Sequence, residues 1–229
     1  MASLGWLARA CIEDPGGEAW RMERSWISVN FAISADGKIS PVAKRPSGWT
    51  SEADHRRLLE LRAGADALLV GKGTLVADRM TMTVPGPEKQ PLRCIVSRSG
   101  RLDPDLPVFQ KPGGQIHLCV TGDAPVEIPG VMVHHQTLAG FLSTLAAELG
   151  VKRLHCEGGG ELVRELMELD AIDEFHLTLA GHTIFGGLSA PTVTGIPGNF
   201  PAGSLDFELS GFEPVAGTGE CFLSYRRLR

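Results

Sequence analysis

The sequence predicts an α/β protein, with one mostly parallel sheet, helices on both faces and an antiparallel hairpin at its C-terminal end. Three observations predict it. Short β-rich apolar runs alternate with short helical patterns from residue 26 to residue 180. Two of those runs end in glycine turns that open helices, LLVGKGT (68–74) and LHCEGGGEL (154–162). The last thirty residues hold two alternating segments, SLDFELSGF and ECFLSYRRL, suited to a hairpin at a sheet edge.

Residues 1–24 are weakly patterned and are expected to form an arm outside a single domain, 25–229. WISVNFAIS (26–34) reads as a buried strand, closed by the turn formers Ala35-Asp36-Gly37. After a loop with Pro41, Pro46 and Gly48, Ser51 is placed to cap a helix, and Leu58, Leu59 and Leu61 supply its apolar stripe. DALLV (66–70) is a short strand, and Gly71-Lys72-Gly73-Thr74 opens a short helix. LRCIVS (92–97), IHLCV (116–120) and VMVHH (131–135) follow as strands. A helix over LAGFLSTLAAELG (138–150) ends on Gly150, and KRLHCE (152–157) is the next strand. The three glycines lead into a helix at 161–169, then the strand DEFHLTLA (173–180).

The totals exclude several function classes. The chain has 229 residues, 21% charged and 43% hydrophobic, with a net charge of −5 and no long basic run. Nucleic acid and membrane surfaces therefore find no electrostatic footprint, and any anion must be held by local geometry. No apolar run is long enough to span a bilayer. The five cysteines (11, 94, 119, 156, 221) lie far apart without a CxxC, which suits small buried thiols in a reducing compartment. The N-terminus lacks a basic segment and turns acidic early, so a cytoplasmic protein is expected. HCE at 155–157 matches the HxE of zinc deaminases, but no PCxxC follows, and no metal is expected.

Both glycine turns sit where an open α/β sheet binds ligands, outside the carboxyl ends of strands. Helix N-termini there offer unpaired N–H groups to phosphate, and glycine lets a ligand approach the backbone. A bare tight turn is the competing explanation for each. Neither turn is GxGxxG or a P-loop, but two after buried strands in one domain point to a dinucleotide.

Five segments carry a more specific likeness: ISADGKIS (33–40), SGWTS (47–51), LRAGADALLVGKGTLVAD (61–78), QPLRCIVSRSGRL (90–102) and CEGGGELVRELMELDAIDEFHLTLAGHTIFGG (156–187). In this order they resemble the reductase domain of bacterial riboflavin biosynthesis, of dihydrofolate reductase-like fold. The resemblance covers roughly residues 26–188. It implies NADPH-dependent reduction of the ribosylamino group of a pyrimidine 5′-phosphate, as in 5-amino-6-(5-phosphoribosylamino)uracil reductases, by hydride delivery to the ribose C1′. It also implies a homodimer. Three rivals stand beside it: a reductase of dihydrofolate or another pterin-like ring, a non-catalytic NADPH-binding relative, and a flavin or other dinucleotide enzyme, which the missing GxGxxG and the five ordered segments make the weakest.

The resemblance places Ala32 and Trp49 at the nicotinamide half, and Ser47, Arg62, Met82 and Glu157 at the substrate. Gly71, Lys72, Gly73, Thr74 and Asp78 match cofactor positions, and Gly158, Gly159, Gly160, Glu161 and Leu162 wrap the pyrophosphate. Ser97 and Arg98, with Lys72, would grip the adenosine 2′-phosphate; a polar hairpin entry is the alternative for them. Arg62 could instead be a solvated last-turn cation favouring the helix dipole. Asp78 and Glu157 are the candidate catalytic groups, with a bound water as the other proton source. Asp36 is expected to bind its own turn backbone, and His134, His135 and His176 to be core or edge residues. One departure matters: relatives show ADDPxLTVR where this chain has ADRMTMTVP. Pro85 replaces the arginine that meets the substrate's phosphate end, which leaves either Arg79, Lys44 or Arg45 as substitutes or a substrate without that phosphate.

Overall fold

The computed structural model describes residues 24–43, 48–86, 89–196 and 204–229. The N-terminal arm lies almost wholly outside these, as do Ser47, Lys44 and Arg45. The strands are β1 (Trp26–Ser34), β2 (Ala67–Gly71), β3 (Leu92–Ser97), β4 (Ile116–Val120), β5 (Val131–His135), β6 (Arg153–Cys156), β7 (Glu174–Ala180), β8 (Phe207–Val215) and β9 (Glu220–Arg227). The helices are α1 (Glu52–Ala63), α2 (Lys72–Ala77), α3 (Pro107–Gln110), α4 (Leu138–Ala147) and α5 (Gly160–Glu168). They form one nine-stranded sheet in the order β5-β4-β3-β2-β6-β1-β7-β9-β8. Every pair from β5 to β7 is parallel, and β9 and β8 continue it antiparallel. The expected architecture is present.

Alternation along β1 decides what each face carries, because successive side chains point to opposite sides. Ile27, Val29 and Phe31 join Phe141, Leu142 and Leu145 of α4 and Leu162, Val163 and Leu166 of α5 in one apolar cluster. The other face is covered by α1 over the centre, and by α2, α3 and their loops over β2–β4. There Leu68, Val70, Leu75, Ile95, Val108 and Leu118 form a second apolar cluster.

Between α1 and the central strands the interface is polar. Ser51 caps α1 by accepting the Asp54 N–H at 3.3 Å, and its own hydroxyl donates to Glu220 at 2.5 Å. Asp54 accepts from Thr178 Oγ1 at 2.5 Å. Arg57 donates to the Leu177 and Leu223 carbonyls at 3.0 and 3.1 Å. These bonds hold an otherwise weakly apolar helix on the sheet.

Two sequence expectations shift in detail, and one element is unexpected: the four-residue helix α3 is too short to carry a periodic signal. The helix read over 138–150 ends at Ala147 with Glu148 as its cap, and Gly150 is the left-handed residue beyond it at φ +65°. Asp36 does more than bind its own turn backbone: it also accepts from the Ser34 hydroxyl at 2.6 Å and from the Phe185 and Gly186 N–H groups at 3.3 and 2.8 Å. The Ser34 bond leads in holding this carboxyl below its ordinary range.

Candidate active site

The two glycine turns meet because β6 lies directly beside β2. The Gly71 N–H donates to the Gly158 carbonyl at 2.7 Å, and the Glu157 N–H to the Leu69 carbonyl at 2.9 Å. A Cβ on Gly159 would lie 2.7 Å from Thr74 Oγ1, so the glycine leaves that space to the threonine. Gly158 has φ +87°, where a side chain is strained. The Gly158–Gly159 peptide is cis. Gly159 caps α5 without a side-chain hydrogen bond, so no cap side chain satisfies the first backbone N–H groups of that helix.

Gly160 serves a different purpose. A Cβ there would stand 2.2 Å from the Gly195 nitrogen and 2.5 Å from its Cα. Arg164 fixes this loop by donating to the Thr194 carbonyl at 3.0 Å and to that of Ile196. Gly160→Ala is therefore expected to cost about 1–3 kcal/mol through overpacking against backbone. Urea denaturation checks this, and an unchanged midpoint would show that the 192–196 loop yields freely.

A cationic group forms at the ends of β2 and β3. Lys72 Nζ donates to Ser99 Oγ at 3.4 Å. Ser97 Oγ accepts the Gly100 N–H at 3.0 Å, which fixes the turn that presents Arg98 to solvent. Ser99 was not singled out from sequence; the second serine of SRS was its only signal.

On the α1 side of the sheet, Glu157 and Arg62 form a buried bidentate pair. Arg62 Nε and Nη2 donate to the two Glu157 oxygens, both at 2.6 Å, with side chains 9% and 5% exposed. Arg62 Nη1 also donates to the Thr83 carbonyl at 3.2 Å. The solvated-cation reading of Arg62 is excluded by this burial. The geometry is the fork-to-carboxylate match that favours arginine.

The remaining expected residues fall around these groups. Ala32 and Asn30 lie on the α1 face of β1, with Thr178 and His176 as their β7 partners. Trp49 packs edge-on against Phe185 at 4.9 Å, and Asp36 holds the Phe185 backbone. Asp78 ends α2, its N–H donating to the Thr74 carbonyl at 2.9 Å. Gly73 and Glu161 are exposed. Met82 is fully buried in the apolar cluster over β2–β4, and Leu162 is buried in the one under α5.

His176 is buried against Ser224 at 2.9 Å, and His134 stacks on His117. Burial pushes the Cys119 and Cys156 thiols up to about 12, which suits inert core residues. Among the described residues no cluster of three metal-binding side chains occurs, and no helix is long and apolar enough to cross a membrane.

Sheet order, antiparallel extension and paired glycine turns together define a class, the α/β proteins of dihydrofolate reductase type. Dihydrofolate reductase from Enterococcus faecalis superposes with a TM-score of 0.53 at 15% identity, over 89% of this chain and 97% of that one. Within that class the chain belongs to the RibD C-terminal domain family, whose model matches residues 25–216. RibD from Acinetobacter baumannii superposes with a TM-score of 0.76 at 22% identity, covering 90% of this chain and 59% of that one. The 2,5-diamino-6-ribosylamino-4(3H)-pyrimidinone 5′-phosphate reductase of Archaeoglobus fulgidus is 32% identical over 190 residues, 74% of this chain and 86% of the relative.

Proposed function

We propose that the protein reduces the ribosylamino group of a pyrimidine 5′-phosphate to the ribitylamino form, with NADPH as reductant. The observation that carries this reading is the meeting of the two glycine turns beside the buried Arg62–Glu157 pair. Backbone donors at Gly159–Glu161 suit a pyrophosphate, and Lys72, Ser97, Arg98 and Ser99 suit a further dianionic phosphate. The residues present therefore fit a phosphorylated dinucleotide. When bound, its nicotinamide supplies the hydride. Ala32, Trp49 and Phe185 give that ring an apolar wall, and Arg62 and Glu157 offer polar groups to the substrate.

The Archaeoglobus relative is named for the 2,5-diamino pyrimidinone. This favours the substrate before deamination over the uracil that the five sequence segments suggest. Recognition of its phosphate falls to groups other than residue 85, where proline offers neither charge nor N–H. Assaying the diamino-pyrimidinone phosphate, the uracil phosphate and dihydrofolate side by side with NADPH tests the proposal. Consumption of dihydrofolate alone would overturn it, and NADPH binding without turnover on any of the three would favour a non-catalytic relative.

Coenzyme choice gives a sharper test. Arg98→Ala is expected to weaken NADPH by about 1–3 kcal/mol, the range for a charged hydrogen bond, while NADH affinity changes little. Equal losses for both coenzymes would remove Arg98 from the 2′-phosphate. A homodimer through the outer strand β8 is also proposed, because Leu209 and Phe212 are 55% and 65% exposed there. A monomeric mass by light scattering at working concentration would refute it.

A further inference from the structure

The polar seam between α1 and the sheet contains two buried atoms without a hydrogen-bond partner, Asn30 Oδ1 and His155 Nε2. They are neighbours. Register sets Ser28 beside His155 and Val29 beside Cys156, so Asn30 lies diagonal to His155 and next to the backbone of Glu157. Diagonal neighbours on one sheet face stand about 7–8 Å apart along the backbone and their side chains approach more closely, so a water making two hydrogen bonds of about 2.8 Å each can join the two polar tips. Leaving both atoms unpaired would cost about 1–3 kcal/mol each, so a native protein rarely does so without a water or ligand.

The other end of the imidazole is connected. His155 Nδ1 lies 2.8 Å from Ser28 Oγ. Ser28 in turn lines a cavity of 110 Å³ with Glu60, Arg153 and His176, with room for water. Burial, with the nearby His176, Arg62 and Arg57, pushes His155 down to about 3, so the ring is neutral. A neutral imidazole accepts at one nitrogen while donating at the other, as a relay requires.

Neither carboxylate considered from sequence fills the role. Glu157 accepts from Arg62 at both oxygens. Asp78 ends α2, outside the seam. We propose that a water held between His155 Nε2 and Asn30 Oδ1 is the proton source for the reduction, replenished through His155 and Ser28. This rests on the proposed substrate class. Opening the ribose breaks C1′–O4′ and places one proton on O4′, and hydride addition then completes C1′. The water gives that proton and regains one from His155 Nε2–H. Nδ1 takes the Ser28 hydroxyl proton, and Ser28 takes one from cavity water.

His155→Phe keeps a planar ring and removes both nitrogens. It is expected to lower kcat about 100-fold, within the range of general acid–base catalysis, with KM and NADPH affinity unchanged and a lower thermal midpoint, because Ser28 loses its partner. Ser28→Ala breaks the same chain one step earlier and should lower kcat with a larger solvent isotope effect. Nitrogen-15 spectra of the free protein provide a readout independent of activity: His155 should carry its proton on Nε2, in contact with a long-lived water. Wild-type kcat in both variants, or Nε2 without a proton and a water, overturns the proposal. Should the wild type reduce none of the pyrimidines, the substrate reading fails, and the spectra alone still decide the water site.

Discussion

Arg62→Met is expected to lower stability by about 3–5 kcal/mol and to abolish reduction. The reason is burial: the Glu157 carboxylate, 5% exposed, would lose both of its guanidinium donors at once. A buried charge stripped of its partner costs that much, far more than the pair contributes net. Glu157→Leu is expected to cost a similar amount, since Arg62 is 9% exposed and would keep only the Thr83 carbonyl. The double variant Arg62→Met/Glu157→Leu should recover much of the loss, because two well-packed apolar side chains leave no charge to solvate. Its activity should stay lost. Urea denaturation of all four proteins closes the cycle. Single losses under about 1 kcal/mol would show that water reaches the pair.

That pair also shows where reading the sequence stops. Arg62 and Glu157 were each singled out, but as separate substrate contacts. Ninety-five positions separate them, and nothing local brings them together. They meet because β6 inserts between β2 and β1, a choice of strand order that local patterns do not encode. The same insertion sets Gly71 against Gly158 and turns two separate glycine signals into one site.

Legibility followed the range of the interaction. The apolar runs marked every strand within a few residues, and Ser51 marked the start of α1, because strand period and capping are local. The burial of Met82 is not legible in the sequence because it depends on how 78–84 folds back, with Arg79 and Met82 both at positive φ. Local pattern places Asp36 in its own turn, but its partners at 185 and 186 lie about 150 positions away, in the loop after the neighbouring strand β7. The unpaired atoms of Asn30 and His155 left no trace in sequence, since an absent partner is visible only once all others are placed.

Asp173→Asn is the second large effect expected, and it acts away from the site. Asp173 receives the Ile27 N–H at 2.8 Å, two bonds from Arg24 at 2.6 and 2.8 Å, and one from Arg229 at 2.6 Å. It thereby ties the entry of β1 to the last residue of the chain. Burial works against its ionisation, and the bonds from Arg24, Ile27 and Arg229 outweigh it, so the carboxyl is held below its ordinary value. A carboxylate with a depressed folded value stabilises fully above its unfolded value, about 3.9, and that stability is lost as pH falls through the folded value. The wild type should therefore lose stability below about pH 4, while Asp173→Asn shows a flatter profile there. At pH 7 the variant should be weaker by about 1.5–3 kcal/mol, because the bonds from Arg24, Ile27 and Arg229 would meet a neutral amide in place of a carboxylate. Urea midpoints at pH 3, 4 and 7 test both parts. Parallel profiles for the two proteins would move the acid sensitivity to other carboxylates, and a loss under about 1 kcal/mol at pH 7 would show that solvent already screens these charges.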